Sequence, residues 1–295
     1  MNARQPTRRV LINTDAKNEA DDQFAIVHAL LSETLDVRGL IAAHFGDSRS
    51  STSMLDSRKE IDLLLGHLSM NVRVENGAEG PIPDEQTAAP SAGAELIIDE
   101  AKKDEGPLLV AFLGPLTDMA SALLMEPSIA DADVTVIWIG GPPYGDYEPE
   151  KWPEFNLSND VAAANVVFRS GIDLWQVPWS TYVRTAVGYA ELDEKVAPCG
   201  PLGRYLVDQL HEWNATWVAQ PIEHRALGDS PAIGLMLNPA AGIYRPVAAP
   251  TFSSEGGYLP GGKHTVRVYE QLDTRYLLED FFAKLRRFAA HQERQ

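Results

Sequence analysis

The sequence predicts an α/β fold with a central, mainly parallel β-sheet flanked by helices. Short runs rich in Val, Ile and Leu alternate along the chain with longer segments of helical periodicity. This alternation is typical of parallel sheets whose strands are joined by helices. The chain has 295 residues, of which 44% are hydrophobic, and no repeat or low-complexity linker interrupts the alternation. We therefore expect one domain over residues 1–295, with a core from about residue 8 to about residue 290.

The predicted elements follow one another from the N-terminus. Six apolar runs predict strands, at residues 9–14, 37–43, 72–75, 108–113, 134–139 and 174–178. Amphipathic patterns preceded by turn or capping residues predict helices at 22–32, 54–68, 92–103, 116–125, 160–170, 200–220 and 274 to about 290. Two long segments, 140–155 and 245–262, are predicted as loops, and loops of that length are often functional.

Composition excludes several classes of function. The formal net charge of −17 argues against nucleic acid as a partner, because binding to a phosphate backbone requires clustered Lys and Arg. The sequence contains no apolar stretch of about 20 residues and no apolar signal core, so we expect no membrane association and a cytoplasmic location. Cys199 is the single cysteine of the chain, which excludes an internal disulfide.

Three aspartates stand in the loop between the first predicted strand and the first helix. Asp15 follows the strand, and Asp21 and Asp22 stand where the helix begins. Such a loop lies at the carboxyl end of a strand, where ligands bind in open α/β sheets. Adjacent carboxylates repel one another unless a cation lies between them, and hard divalent ions take oxygen ligands. The alternative is that Asp21 or Asp22 only caps the helix.

Further oxygen donors follow later elements. Glu154 and Asn156 lie on one side of a short segment if that segment is extended, and together they can accept hydrogen bonds from hydroxyl groups and donate to them. Asp229 precedes Ser-Pro and an apolar helix. The alternatives are that the first two hold the loop in place and that Asp229 is an N-cap.

Four motifs, in order, carry a resemblance to a known family. They are NTDAKNEADD, LGPLTDMASAL, EFNLSNDVAAANVVF and LGDSPAIGL. Together they resemble the inosine-uridine preferring nucleoside hydrolases, over residues 10 to about 285. The resemblance implies a single α/β domain, a mainly parallel sheet and one Ca²⁺ ion deep in a cleft.

The resemblance also implies roles for individual residues. Asp15 would be a calcium ligand and the general base that activates a water molecule. Asp22 and Asp229 would be further ligands, and Leu113 would contribute its backbone carbonyl. Asp21, Glu154 and Asn156 match residues that hold the ribose hydroxyls. These residue types suit cleavage of an N-glycosidic bond, because negative groups stabilise an oxocarbenium-like sugar.

The chain departs from the family pattern at several positions. The loop from Asp15 to Asp21 is two residues longer than the usual DxDPGxDD pattern, and Asn13 stands where the pattern has its first Asp. An amide at position 13 also argues against a DxD phosphotransferase, whose nucleophile is that aspartate. Asp47 occupies the place of an Asn that contacts substrate. Gly228 stands where many members carry a His associated with protonation of the leaving base.

Other groups are candidates for assisting departure of the leaving group. A proton could come from a histidine or tyrosine elsewhere, and the candidates are His44, Tyr144, Tyr182 and His224. Aromatic stacking is the alternative, and its candidates are Trp152, Trp213 and Trp217, each of which could instead belong to the core or an interface.

Three functional hypotheses follow. The first is a Ca²⁺-dependent N-ribohydrolase acting on a nucleoside or a related ribosyl compound, as a homodimer or homotetramer. The second is a metal-containing sugar-binding or ribosyl-binding protein of the same fold with little or no hydrolysis, which Gly228 would permit. The third is hydrolysis of an O-glycosidic bond, which needs a general acid even more strongly.

Overall fold

A computed structural model describes residues 7–145 and 148–294 of the chain. The strands are β1 (Arg8–Thr14), β2 (Leu35–Ala42), β3 (Val74–Asn76), β4 (Leu108–Phe112), β5 (Val134–Ile139), β6 (Asp173–Val177), β7 (Ala186–Gly188), β8 (His224–Ala226), β9 (Gly242–Ala248), β10 (Thr251–Phe252), β11 (Tyr258–Leu259) and β12 (Thr265–Leu272). The helices are α1 (Asp22–Leu30), α2 (Ser53–Leu68), α3 (Ala92–Ala101), α4 (Thr117–Met125), α5 (Phe155–Asn159), α6 (Val161–Ser170), α7 (Trp179–Tyr182), α8 (Tyr189–Lys195), α9 (Gly200–Trp217), α10 (Ser230–Leu237) and α11 (Thr274–Gln292).

Eight strands form the central sheet, in the order β3–β2–β1–β4–β5–β6–β12–β9. The first seven of these are parallel neighbours, and β9 alone pairs antiparallel, with β12. The predicted fold class, a mainly parallel sheet flanked by helices, is therefore confirmed. The six predicted strands correspond to β1 through β6, with ends that differ by about two residues at most.

The C-terminal edge of the sheet was not predicted. Residues 245–262 were expected to form a loop, but β9 occupies 242–248 and the short hairpin β10–β11 follows it. The outer strand β9 is largely exposed and contains Pro246. Proline cannot donate to a sheet ladder and is tolerated at an edge, so the residue that suggested a loop is compatible with an edge strand.

Hydrophobic cores lie on both faces of the sheet. Along β1, Val10 and Ile12 belong to one core and Leu11 belongs to the other. Successive side chains of a strand point to opposite faces, and strands covered on both sides are apolar throughout. This double burial fixes the carboxyl ends of the central strands, where the polar loops begin. Within the described residues, no helix has the length and apolarity that a membrane span requires.

The segment around Glu154 differs from the extended conformation that was considered. Residues Phe155–Asn159 form the one-and-a-half-turn helix α5, and Glu154 is its N-cap. Glu154 accepts hydrogen bonds from the backbone N–H groups of Asn156 and Leu157. This segment ends the predicted loop 140–155, of which Asp146 and Tyr147 lie outside the described residues.

Candidate functional site

Four aspartates meet in a buried cluster at the carboxyl edge of the sheet. Asp15 follows β1, Asp21 and Asp22 begin α1, and Asp229 precedes α10. Carboxylate oxygens of Asp21, Asp22 and Asp229 lie within 4.8 Å of one another, and all four residues are buried. Residues more than 200 positions apart in the sequence are thus brought together.

The capping alternative does not account for this arrangement. Asp21 and Asp229 occupy the N-cap positions of α1 and α10, but neither side chain accepts a capping hydrogen bond from its own helix. Asp21 Oδ2 instead accepts a hydrogen bond from the backbone N–H of Gly228, at 2.8 Å. Both helices point their positive N-terminal ends at the cluster, which partly offsets its negative charge.

The electrostatics of the cluster require a proton or a cation. Burial and the neighbouring Asp21 raise the pKa of Asp22 to about 7. Burial, followed by the nearby aspartates, raises the pKa values of Asp15 and Asp229 well above their ordinary value. Carboxylate oxygens of Asp22 and Asp229 lie within 4.8 Å of each other, so protonation of one of them relieves their repulsion when no cation is present. Among the described residues, no Lys or Arg forms a salt bridge with Asp15, Asp22 or Asp229.

Asp15 offers an oxygen that the protein itself does not use. Its Oδ2 atom is buried and has no hydrogen-bond partner among the described residues. The end of β4 passes very close to this side chain, because a Cβ atom at Gly114 would lie 2.7 Å from Asp15 Cγ. A buried carboxylate oxygen without a partner is costly, which makes this atom a candidate ligand for a cation or an acceptor for a bound water.

Asn156 joins the ends of two neighbouring strands. Its Nδ2 atom donates to the carbonyl of Leu113 at 2.7 Å and to the carbonyl of Ile139 at 2.8 Å. Leu113 follows β4 and lines the same cavity as the aspartates. The structure therefore places the predicted backbone ligand, Leu113, and the predicted ribose contact, Asn156, beside the acidic cluster.

Glu154 is held by several donors at once. Its Oε2 atom accepts from the N–H groups of Gly141, at 2.8 Å, and of Leu157, at 2.9 Å. Its Oε1 atom accepts from the hydroxyl of Tyr182 at 2.9 Å and from the N–H of Asn156 at 3.3 Å. Burial raises the pKa of this carboxyl, and the hydrogen bonds lower it. The loop-holding role considered for Glu154 is thus present, and Glu154 also lines a cavity together with Tyr182.

Two adjoining cavities make up the site. We call the first the acidic pocket; it is lined by the four aspartates together with Leu113, Asn156 and Tyr182. We call the second the aromatic cleft; it has a volume of about 750 Å³ and is lined by Trp152, Phe155, Trp179 and Tyr182, with Glu19 and Arg225. Trp152 is 73% exposed and Trp179 is 46% exposed, so both large rings present apolar surface at the rim.

One glycine connects the walls of these cavities. The N–H of Gly141 donates to Glu154, and its carbonyl accepts from the N–H of Trp179 at 2.9 Å. Gly141 has a φ of +89°, a conformation that favours glycine. The positions of Glu154 and Trp179 are therefore fixed relative to the end of β5.

Not every predicted site residue reaches the cavities. Asp47 lies on an exposed loop and is absent from the lining of both. Asn13 lies beneath the site and donates to the buried Asp118 at 2.8 Å, which explains how an amide is accommodated there.

The candidates for leaving-group assistance are separated by the structure. His224 is exposed on β8, His44 is hydrogen-bonded to Thr117, and Tyr144 donates to Gln176. Tyr182 lines both the acidic pocket and the aromatic cleft. Trp152 lines the aromatic cleft, whereas Trp213 and Trp217 line a neighbouring cavity of about 400 Å³.

Several residues at the site were missed from the sequence. Glu19, in the lengthened loop, forms an ion pair with Arg225, and Arg225 lies over the ring of Trp213 at 4.1 Å. Arg49 donates to the carbonyl of Asn18 at 3.1 Å and lies 4.3 Å from the centre of the Phe155 ring. The two extra loop residues were the available signal, because a longer loop needs partners that hold it.

Comparison with known proteins gives a consistent result. The model of the family described as inosine-uridine preferring nucleoside hydrolase matches residues 10–278. A pyrimidine-specific ribonucleoside hydrolase, RihA, of Escherichia coli O1:K1 / APEC is 30% identical over 171 residues, which are 52% of this chain and 54% of that protein. RihA of Salmonella typhimurium is 26% identical over 209 residues, 64% of this chain and 67% of that protein. The chain thus spans about half the length of the E. coli relative that it matches.

Solved structures of similar proteins share the fold. A purine-preferring ribonucleoside hydrolase from Gardnerella vaginalis has a TM-score of 0.82 at 20% identity, covering 96% of this chain and 99% of that chain. The plant nucleoside hydrolase PpNRh1 has a TM-score of 0.76 at 20% identity, covering 95% of this chain and 99% of that chain. At these identities, the likeness establishes the architecture.

Proposed function

Because the chain belongs to the inosine-uridine preferring nucleoside hydrolase family, we propose that it hydrolyses the N-glycosidic bond of a nucleoside or a related ribosyl compound with the help of Ca²⁺. The observation that carries this proposal is the buried cluster of Asp15, Asp21, Asp22 and Asp229 beside a cleft large enough for an aglycone. The family is metal-dependent, and the proposal of Ca²⁺ follows from the resemblance of the sequence motifs.

The donor set fits a hard divalent ion. Asp15 Oδ2 has no hydrogen-bond partner among the described residues, and the carboxylates of Asp22 and Asp229 lie close enough together for one cation to contact both. Ca²⁺ accepts six to eight oxygen ligands, including carboxylates and backbone carbonyls. Asp15, Asp22, Asp229 and the carbonyl of Leu113 would hold the ion. When bound, it would orient the ribose diol and make a nearby water more acidic.

Asp15 is proposed as the general base. Asp15 lines the acidic pocket, and the carboxylate oxygen that does not hold the ion can accept a proton from a water molecule that attacks C1′ of the sugar. As the new C–O bond forms, the C–N bond breaks and its electron pair leaves with the base, which then takes up a proton from solvent water. Asp21, Glu154 and Asn156 would hold the ribose hydroxyls, and the surrounding carboxylates would stabilise positive charge on the sugar ring.

The leaving base would lie in the aromatic cleft. Trp152 and Trp179 present exposed ring surface there, and Phe155 and Tyr182 border both cavities. Stacking on such side chains stabilises a planar base and discriminates little between one base and another. We therefore propose no preference between purine and pyrimidine. A homodimer or homotetramer stays a prediction of the sequence resemblance, and a cytoplasmic location stays a prediction from the apolar pattern of the sequence.

The test is release of reducing sugar from a panel of nucleosides, with Ca²⁺ and after chelation. We expect release that depends on the ion and falls by about 10²–10⁴-fold in Asp15→Asn, the usual contribution of a general base. Asp280→Asn, which changes a carboxylate on α11 outside the site, serves as the control and should retain activity. Ribose binding without turnover of any nucleoside would instead favour a sugar-binding protein.

A further inference from the structure

Tyr182 lies outside the four family motifs, and the proposed mechanism gives its hydroxyl no step. It is the last residue of the short helix α7, after β6, and its ring borders both the acidic pocket and the aromatic cleft. Its hydroxyl donates to Oε1 of Glu154 at 2.9 Å. A partly buried tyrosine between two binding cavities, bonded to a buried carboxylate, is poorly explained by packing alone.

The ring of Tyr182 lies directly against Gly228. A Cβ atom at Gly228 would come within 3.0 Å of Tyr182 Cδ2 and within 3.1 Å of Asp21 Oδ2. Contacts this short require a neighbour to move, and the Asp21 carboxylate is already held by the N–H of Gly228. Any side chain at position 228 therefore competes with Tyr182 for the same space.

The hydrogen bonds of Glu154 divide between its two oxygens. Backbone N–H groups at 2.8 and 2.9 Å hold Oε2. For Oε1, the Tyr182 hydroxyl at 2.9 Å is the shorter of two bonds, and the other, from the N–H of Asn156, is 3.3 Å long. Among the described residues, the Tyr182 hydroxyl is the side-chain donor that helps to orient this carboxylate, and the other three donors are backbone N–H groups.

We infer that Tyr182 is a sugar-positioning residue, which orients Oε1 of Glu154 where the aromatic cleft meets the acidic pocket and stands in the space left by the absent side chain of Gly228. The inference rests on the proposed function, since it assigns the pocket to a ribosyl group. This positioning role requires no proton transfer by Tyr182. Gly228 is then needed for space, and its exchange for a larger residue would displace the tyrosine and misdirect Glu154.

The experiment measures ribose affinity by calorimetry in Ca²⁺, and KM and kcat for the best nucleoside of the panel. We expect Tyr182→Phe to weaken ribose binding and raise KM by about tenfold, the effect of losing a hydrogen bond to a charged group, while kcat changes much less. Tyr205→Phe is the matched control, because Tyr205 donates to the buried Glu60 outside both cavities. It should leave ribose affinity and KM unchanged.

A double-mutant cycle tests the shared space. Gly228→Ala should weaken ribose binding, and it should do so less in a Tyr182→Ala background, because the clash is then relieved. Unchanged ribose affinity in Tyr182→Phe, an equal loss in Tyr205→Phe, or additive effects in the cycle would overturn the inference. If the wild-type protein binds ribose but hydrolyses no nucleoside, the proposed hydrolysis fails, whereas a selective loss of ribose affinity in Tyr182→Phe still supports the positioning role.

Discussion

The acidic pocket and the aromatic cleft are neighbours that share a wall but are built in opposite ways. The pocket consists of short, buried carboxylates at the ends of strands and the starts of helices, whose backbone is fixed by the core. The cleft consists of large, exposed rings on loops and on the short helix α7. The first arrangement suits rigid placement of charge, and the second suits contact with a planar group of variable identity.

The largest effect that would separate the two regions comes from removing one carboxylate of the pocket. Asp22→Ala should lose Ca²⁺ and hydrolysis together, because a hard-cation site depends on its charged ligands. In chelator the same variant should be more stable than the wild type, since one of several buried like charges is gone. Calorimetric titration with Ca²⁺ and thermal unfolding measure these effects. Stoichiometric Ca²⁺ binding by Asp22→Ala would contradict the assignment.

When the cation is removed by a chelator, repulsion among the carboxylates of the pocket should make the melting temperature depend on pH. Burial raises the pKa of Asp22 to about 7, above its ordinary value of 3.8. A carboxyl with a higher pKa in the folded chain stabilises the fold when protonated, and this contribution is lost as the pH rises through the folded pKa. We expect the melting temperature in chelator to fall by several degrees from about pH 5 to about pH 8, where each pKa unit corresponds to about 1.4 kcal/mol.

Calcium should reverse this dependence. The ion requires deprotonated ligands, so its stabilising effect should be larger at the higher pH. The control is Asp62→Asn, which changes an exposed carboxylate on α2 outside the pocket and should show the same dependence as the wild type. Equal melting temperatures at both pH values, with equal shifts on adding Ca²⁺, would show that the carboxylates are not coupled as described.

A smaller effect is expected in the cleft. Trp152→Ala and Trp179→Ala should raise KM for nucleosides by about tenfold, since stacking of a base on an aromatic ring contributes about 1–3 kcal/mol. Both variants should bind ribose normally, because the rings lie outside the acidic pocket. Tyr244→Ala, an exposed aromatic residue on the edge strand β9, is the control. A parallel loss of ribose binding would remove the distinction between the two cavities.

The smallest effect is expected at Asp47. Its place in the family pattern suggested a substrate contact, whereas the structure puts it on an exposed loop away from both cavities. Asp47→Ala should therefore change kcat/KM by less than about twofold, as for most exposed sites. A large loss in the nucleoside assay would mean that the loop moves onto the substrate.

Predictability from sequence follows the same division. Strands β1 to β6 and the positions of Asp15, Asp22 and Asp229 could be predicted, because burial on both faces leaves apolar runs and charge clusters stand out at their ends. The roles of those residues stay predictions. Strand β9 could not be recognised, since an exposed edge strand containing Pro246 lacks a regular pattern. Trp179 and Arg225 gave no signal, because their neighbours in space are distant in the chain.

Gly141 has a consequence for how ligands are selected. This one residue holds Glu154 through its N–H and the backbone of Trp179 through its carbonyl, so the scaffold sets the distance between the proposed sugar contact and the proposed contact of the base. A ligand with a longer link between its sugar and its ring would not reach both contacts at once, because side-chain rotation does not change the distance between the two backbone positions. On the proposed function, the protein would select ligands by the length of the link between sugar and ring before it selects them by the chemistry of the ring.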